Sequence, residues 1–146
     1  MKAGSSILRV MLCAIFLYAA NVKIVDPQGF HAAILTYHLV PEAAVKWIAL
    51  GLPWLELCAG LALLLPAHRT GALWVLLGLM IVFLAALGQG WARGLDLTCG
   101  CFGTEAGTRV WGYWKFLYRD LVLVTLIVFL LVRERAPSPA NPPPAA

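Results

Sequence analysis

Two thiols separated by a single glycine, Cys99-Gly100-Cys101, are the one reactive cluster in an otherwise apolar sequence. A disulfide between them is sterically allowed, because an extended or turned tripeptide brings the two Cα atoms to about 6 Å. Such a bond closes almost the shortest loop that a chain can form. It therefore removes little entropy from the unfolded state, and its strain makes it easy to reduce. We expect this pair to exchange disulfides rather than to brace the fold.

The other two cysteines, Cys13 and Cys58, lie within apolar runs. A free cysteine in such surroundings usually behaves as a small hydrophobic residue. Four cysteines are also too few for the disulfide framework of a small secreted domain. Thiol chemistry is therefore expected at Cys99 and Cys101, with no metal site assigned.

The elements that must hold this pair are predicted to lie in a membrane. Of the 146 residues, 62% are hydrophobic and 12% are charged, and the mean hydropathy is +0.84. Apolar runs near residues 7–22, 45–65, 71–88 and 111–132 predict four spanning helices of roughly 16 to 22 residues each. The fold class is thus all-α, a four-helix membrane domain over residues 1–135. The Pro- and Ala-rich tail, residues 136–146, is predicted to be disordered.

The segment between the first two spans is predicted to form a short interfacial helix. Asp26-Pro27-Gln28-Gly29 is typical of a turn that ends the first span. Phe30, Ile34 and Tyr37 then follow at helical spacing, which indicates a helix with one apolar stripe lying over the mouth of the bundle. His31 and His38, seven residues apart, are expected to be surface histidines rather than a metal pair.

Glu56 is an ionisable residue in the middle of the second predicted span. It lies ten residues after Lys46, which places it about 15 Å into the membrane at the helical rise. An ionisable side chain at that depth is costly and marks a functional site or an internally satisfied carboxyl. Glu56 is expected to share its helix face with Pro53 and Gly60, whereas Cys58 points the opposite way.

Further charged residues, and small residues of the third span, are candidates for supporting the cysteine pair or the packing of the helices. Lys115 and Arg119 are four residues apart and are expected to face an anion, either a lipid phosphate, Glu56 or a thiolate of the cysteine pair. Asp120 is expected to point away from Arg119 and to find its own partner. Lys23 is expected to reach the interface from the end of the first span. The small residues Gly78, Ala85 and Ala86 of the third span are expected where helices approach closely.

The charge pattern favours cytoplasmic termini. Four spans place both termini and His68-Arg69 on one side and the cysteine loop on the other, with five and six Lys and Arg residues respectively. On the terminal side these residues lie close to the span ends, and the connecting loop is very short, so the positive-inside rule favours that side as cytoplasmic. The cysteine pair is then predicted to face the periplasm, where disulfides persist.

Several stretches resemble the MauE/DoxX family of redox-associated membrane proteins, in particular its methylamine-utilisation MauE type. The resemblance covers most of the chain apart from the tail, and the cysteine motif is its most specific part. The matching stretches are 16–20 with Lys23, Asp26-Pro27, Phe30, 37–41, 52–57, 99–103 and Arg119-Asp120. The family resemblance implies four membrane helices and thiol–disulfide traffic with a thioredoxin-like partner during production of a disulfide-rich, methylamine dehydrogenase-like protein.

The hypothesis from these observations is a candidate thiol–disulfide oxidoreductase of the inner membrane. Cys99 and Cys101 are its candidate catalytic residues, and Lys23, Glu56, Lys115, Arg119 and Asp120 are supporting residues that stabilise a thiolate or form an intramembrane polar network. A quinone is a candidate cofactor, although the loops hold no second cysteine pair for a complete relay of the kind found in DsbB. No nucleic-acid partner is predicted. Two alternatives stay open: soft-metal binding or transport by the two thiolates, and a noncatalytic membrane assembly partner.

Overall fold

Five helices make up the part of the chain that the structure, a computed structural model, describes: residues 2–93 and 111–135. The cysteine pair and the C-terminal tail lie outside these residues. The helices are α1 (Lys2–Val25), α2 (Pro27–Thr36), α3 (Glu42–Ala62), α4 (Arg69–Ala92) and α5 (Trp111–Arg135). No strand occurs in either described range, so the prediction of an all-α fold is confirmed there.

Three of these helices are long and apolar enough to cross a membrane: Gly4–Val25 within α1, together with α3 and α4. In α5 the stretch without a charged residue after Asp120, residues 121–132, is only 12 residues long and extends about 18 Å as a helix. Lys115, Arg119 and Asp120 precede it. The predicted fourth span therefore has a helix of sufficient length but a charged first half.

The break between α1 and α2 follows from the turn residues predicted there. Asp26 is the N-cap of α2, and its carboxylate accepts a hydrogen bond from the Gly29 backbone N–H at 2.9 Å. Pro27 occupies the first turn, where its missing N–H costs nothing. Phe30 and Ala33 of α2 are buried, and α2 packs mainly against α3. A helix follows the break as predicted; its placement at the membrane interface stays a prediction.

The core is formed mainly by two pairs of helices, α1 with α3 and α4 with α5. Gly60 allows the first pair to approach closely, because a Cβ built there lies 3.4 Å from the Phe16 Cβ. The expectation that Gly78 lies at a close contact between helices is wrong, since a Cβ built there meets no described atom within 4 Å. The core cluster includes Leu12, Phe16, Ala59, Leu63, Leu73, Leu76, Met80, Leu123, Ile127 and Leu130.

A polar contact joins α1, α4 and α5 at one end of the bundle. The Arg9 guanidinium forms an ion pair of 3.0 Å with Glu134, and the Thr70 hydroxyl donates to the same carboxylate at 3.2 Å. The start of α1, the start of α4 and the end of α5 therefore lie together. We call this the Glu134 end; the cysteine-containing connection between α4 and α5 leaves the opposite end of those two helices.

Candidate functional site: a buried ionic cluster beside an apolar cavity

Lys23 and Glu56 form a buried ion pair between α1 and α3. The Lys23 Nζ donates to Glu56 Oε1 at 2.7 Å and to Oε2 at 2.6 Å. Only 2% of Lys23 and 1% of Glu56 is exposed. The expectation that Lys23 reaches the interface is therefore wrong, because its ammonium turns inward to a carboxylate 33 residues further along the chain.

Two aromatic rings complete the surroundings of the Lys23 ammonium. The Phe30 ring of α2 has its centroid 5.4 Å from Nζ, and the Phe83 ring of α4 has its centroid 5.0 Å away. The electron-rich face of an aromatic ring attracts a cation, and the attraction is stronger where water is excluded. Three other helices, α2, α3 and α4, thus each contribute a group to the one ammonium that α1 supplies.

Arg119 and Asp120, adjacent residues of α5, supply the second pair of opposite charges. Arg119 donates from Nε and Nη2 to Asp120 Oδ1, at 2.9 and 2.7 Å. The expectation that Asp120 points away from Arg119 is therefore wrong, because the long guanidinium side chain folds back over the neighbouring residue. Asp120 is 2% exposed, and the Lys23 ammonium also acts electrostatically on its carboxylate.

These four residues form what we call the ionic cluster: Lys23, Glu56, Arg119 and Asp120. Two positive and two negative charges balance, so no net charge is buried. Asp120 lies nine residues after the start of α5, and Phe83 lies nine residues before the end of α4, which corresponds to about 14 Å of helix in each case. Charged groups at such depth in a membrane protein face the interior and mark functional sites by default.

The face of α3 that carries Glu56 agrees with the sequence prediction. Pro53, Glu56 and Gly60 are all buried on the inner side of the helix, whereas Cys58 is exposed on the outer side. Cys13 is buried and free, as expected for a small hydrophobic residue. Within the described residues, the hydrogen bonds of the ionic cluster involve neither Cys13 nor Cys58.

An apolar cavity of about 180 Å³ lies beside the ionic cluster, between α2, α3, α4 and α5. The predicted apolar stripe of α2, formed by Phe30, Ile34 and Tyr37, is one wall, and Phe83 belongs to another. Among the described residues that line the cavity, Asp120 is the only charged one. The cavity could not be found from the sequence, since its walls come from segments up to 90 residues apart.

The predicted supporting residues separate into two groups. Four of them, Lys23, Glu56, Arg119 and Asp120, come together in the ionic cluster. Lys115 does not join it, since its side chain is exposed one turn earlier on α5. Cys99 and Cys101 lie outside the described residues, and within those residues no group of three or more His, Cys, Asp or Glu side chains is arranged to hold a metal ion.

The outer surface of the helices indicates the class of protein. Large apolar side chains such as Trp47, Val82 and Val132 are 72%, 64% and 64% exposed, whereas Glu56 of α3 and Asp120 of α5 are buried inside the bundle. An apolar exterior around an internally paired ionic interior suits lipid rather than water. With three candidate spans, these features define a multi-pass α-helical membrane protein.

Comparison with known proteins gives the family. The sequence model of the family described as Methylamine utilisation protein MauE matches residues 1–133. The chain therefore belongs to the MauE family, as the resemblance of its motifs predicted.

Curated relatives agree with this assignment. A methylamine utilization protein MauE of Paracoccus denitrificans is 29% identical over 135 residues, which cover 92% of this chain and 72% of the relative. The proteins of the same name from Paracoccus versutus and Methylorubrum extorquens are 31% and 33% identical; the matches cover 82% and 67% of this chain, and 63% and 53% of those relatives. No solved structure matches the chain.

Proposed function

We propose that this protein takes part in thiol–disulfide exchange on the periplasmic side of the inner membrane through Cys99 and Cys101. The observation that carries the proposal is the Cys-Gly-Cys sequence in the connection between α4 and α5 of a chain that belongs to the MauE family. A strained pair of this spacing favours exchange over bracing. Its proposed context is methylamine utilisation, the process for which the curated relatives are named.

The exchange conserves thiols and disulfides. A thiolate of a periplasmic thioredoxin-like partner attacks one sulfur of the Cys99–Cys101 disulfide, a mixed disulfide forms, and the other cysteine leaves as a thiolate. The second thiol of the partner then resolves the mixed disulfide, so the partner becomes oxidised and the membrane pair reduced. The reverse sequence transfers electrons the other way. The partner in turn serves the maturation of a disulfide-rich, methylamine dehydrogenase-like protein.

The proposed topology has four spans, with α5 as the fourth and α2 at the interface. Both termini are then cytoplasmic and the connection between α4 and α5 is periplasmic. The charged first half of α5 is compatible with a span because Arg119 and Asp120 neutralise each other and Asp120 is buried against the other helices. Internal pairing of this kind lowers the cost of charges in a membrane.

The ionic cluster supports the exchange by fixing the helices from which the reactive connection emerges. Glu56 holds Lys23 at 2.6 Å, and Lys23 in turn contacts Phe83 of α4 and acts on Asp120 of α5. Lys115 is exposed and places positive charge on the second turn of α5, whereas the charge of Arg119 is compensated by Asp120. Positive charge close to a cysteine favours its reactive thiolate form. This is the role proposed for Lys115, and Arg119 is proposed to act through the ionic cluster.

Trapping of a mixed disulfide tests the proposal. Cys99→Ser and Cys101→Ser are each expressed in a Cys13→Ser/Cys58→Ser background, free thiols are blocked in intact cells, and covalent adducts are identified by mass spectrometry. We expect one variant to retain a thioredoxin-like protein through the remaining cysteine, and we expect part of the wild-type pair to be oxidised. The matched control is the background carrying both cysteines, in which the adduct resolves.

Three results would contradict the proposal. No adduct in either variant, together with a fully reduced wild-type pair, would exclude exchange. Stoichiometric metal in the purified protein that disappears on replacement of either cysteine by serine would favour the soft-metal alternative instead. Full function of a Cys99→Ser/Cys101→Ser variant would favour the noncatalytic assembly partner.

A further inference from the structure

A groove separate from the apolar cavity lies between the start of α2 and the first half of α3. Its volume is about 380 Å³, within the range of roughly 300–1,000 Å³ that is usual for small-molecule sites. Residues three or four positions apart share one face of a helix, so each of the two helices turns a single face to the groove. The lining consists of Pro27, Gln28 and His31 from α2 and Lys46, Ala49 and Leu50 from α3.

The groove has apolar walls and a polar rim. Pro27 and Leu50 supply apolar surface, and the aliphatic stem of Lys46 can lie along such a surface while its ammonium stays at the edge. Within residues 2–93 and 111–135, the side chains of Gln28, His31 and Lys46 form no hydrogen bond or ion pair. Their donor groups are therefore available to a ligand at the rim.

The charge of this rim is positive. Lys46 is the one lysine, arginine or carboxylate residue among the described residues of the lining. Glu42 lies one turn earlier on α3 and forms no ion pair with Lys46 within the described part of the chain. The nearby Asp26 carboxylate accepts a hydrogen bond from the Gly29 backbone N–H. An anion at the rim is thus attracted by Lys46 and meets no carboxylate of the described lining.

The position of the groove along α3 corresponds to the boundary of a membrane. The candidate span Glu42–Ala62 has 21 residues and is about 32 Å long, close to the bilayer hydrocarbon thickness of about 30 Å. Lys46 lies only about 6 Å along this helix, whereas Leu50 lies one turn deeper and is 58% exposed. Trp47 is 72% exposed, and exposed tryptophans are typical of the membrane–water boundary. The groove therefore extends from the level of lipid headgroups toward the acyl chains.

We propose that this groove binds an anionic phospholipid, with the lipid phosphate beside Lys46, His31 and Gln28 and the glycerol and upper acyl carbons along Leu50. Basic pockets between membrane helices bind anionic headgroups through the same attraction. A free phosphate ion matches the rim alone and gains nothing from the apolar walls. A choline headgroup brings a second cation to a rim that already holds one. The ligand that suits both parts of the groove is thus an amphiphile with a net negative head.

Retention of lipid by the full chain tests the inference. The protein is purified in detergent and incubated with equal amounts of phosphatidylglycerol and phosphatidylcholine that have identical acyl chains, and the bound lipids are counted by native mass spectrometry. We expect the first lipid retained to be phosphatidylglycerol by about fivefold, the factor that corresponds to one basic residue at an anionic lipid surface. Millimolar inorganic phosphate should not displace it.

Matched variants at exposed positions test the location of the site. Lys46→Gln should abolish the preference for phosphatidylglycerol, and Lys46→Arg should keep it. Lys115→Gln is the control, because Lys115 is an exposed lysine of α5 outside the groove, and it should leave the preference unchanged. Leu50→Trp fills the apolar part of the groove and should cause loss of both lipids. Leu55→Trp, at another exposed position of α3, should retain them.

The outcomes separate this inference from the proposed function, beyond which it goes. Equal retention of the two lipids by the wild type, equal effects of Lys46→Gln and Lys115→Gln, or unchanged retention in Leu50→Trp would overturn the phospholipid site. Displacement of the lipid by millimolar inorganic phosphate would also overturn it and would identify a site for free phosphate. None of these measurements involves Cys99 or Cys101, so trapping or absence of mixed disulfides leaves the result unchanged.

Discussion

The Lys23 ammonium of α1 donates to both carboxylate oxygens of Glu56 in α3, and water reaches neither group. Removal of one member leaves the other as a buried charge without its partner, which costs about 3–5 kcal/mol in comparable pairs. We predict that Lys23→Met and Glu56→Gln each lower the stability of the protein in detergent micelles by an amount of this order. The Lys23→Met/Glu56→Gln double variant should recover most of the loss, because no lone charge remains.

Denaturant-induced unfolding followed by circular dichroism measures these differences. Glu42→Gln is the matched control, since Glu42 is an exposed carboxylate at the start of the same helix, and it should change stability little. A double variant as unstable as the sum of the two single variants would show that the pair is not coupled.

Gly60 is predicted to be the glycine on which the packing of α1 against α3 depends. A Cβ at this position reaches the Phe16 Cβ at 3.4 Å and the Cys13 carbonyl oxygen at 3.8 Å, so alanine just fits and a larger side chain pushes the helices apart. We expect Gly60→Leu to lower the melting temperature of the micellar protein and Gly60→Ala to leave it nearly unchanged. Gly78→Leu is the control, because open space surrounds that position; equal losses in both leucine variants would contradict the prediction.

Glu134 is predicted to couple α1 and α4 to the end of α5. Its carboxylate accepts from Arg9 and from Thr70, and the Arg9 and Glu134 side chains are 15% and 12% exposed. Glu134→Gln should therefore cost about 1 kcal/mol, the usual scale for a partly buried hydrogen-bonded pair. Arg9→Met in the Glu134→Gln background should add little, because the shared interaction is already lost. Fully additive losses in the double variant would show that the two residues act independently.

Reporter fusions test whether α5 spans the membrane. Alkaline phosphatase inserted within residues 94–110 should be active, and a green fluorescent protein fused after residue 135 should be fluorescent, because the two reporters then lie on opposite sides. Fusion of each reporter at the other site is the control, and both should be inactive. Activity of the same reporter at both sites would place the two ends of α5 on one side and exclude the fourth span.

Features that depend on local spacing could be predicted from the sequence. The common face of Pro53, Glu56 and Gly60, with Cys58 opposite, follows from helical periodicity alone and is confirmed. The break at Asp26 follows from turn chemistry and is confirmed as a helix cap. Such predictions succeed because they involve residues within one or two turns of each other.

Features that depend on contacts between distant segments could not be predicted. Lys23 was expected at the interface because the sequence does not reveal that Glu56, 33 residues further along the chain, forms an ion pair with the Lys23 ammonium. Gly78 was expected to lie at a close helix contact because it is small, but size alone does not reveal which face of α4 meets a neighbouring helix. Arg119 and Asp120 are neighbours, yet helical geometry turns their Cα–Cβ bonds apart, and only the length and flexibility of the arginine side chain brings the charges together.

The two ion pairs of the ionic cluster differ in when their partners are translated. Arg119 and Asp120 leave the ribosome together, already neutralised by each other. Lys23 leaves about 2 to 7 s before Glu56 at ordinary rates of translation, about 5–20 residues per second, so a lone ammonium accompanies α1 until its counter-ion is made. The buried ion pair therefore forms only after α3 has been made, and Lys23, which lies two residues before the end of α1, can extend its ammonium to the interface until then.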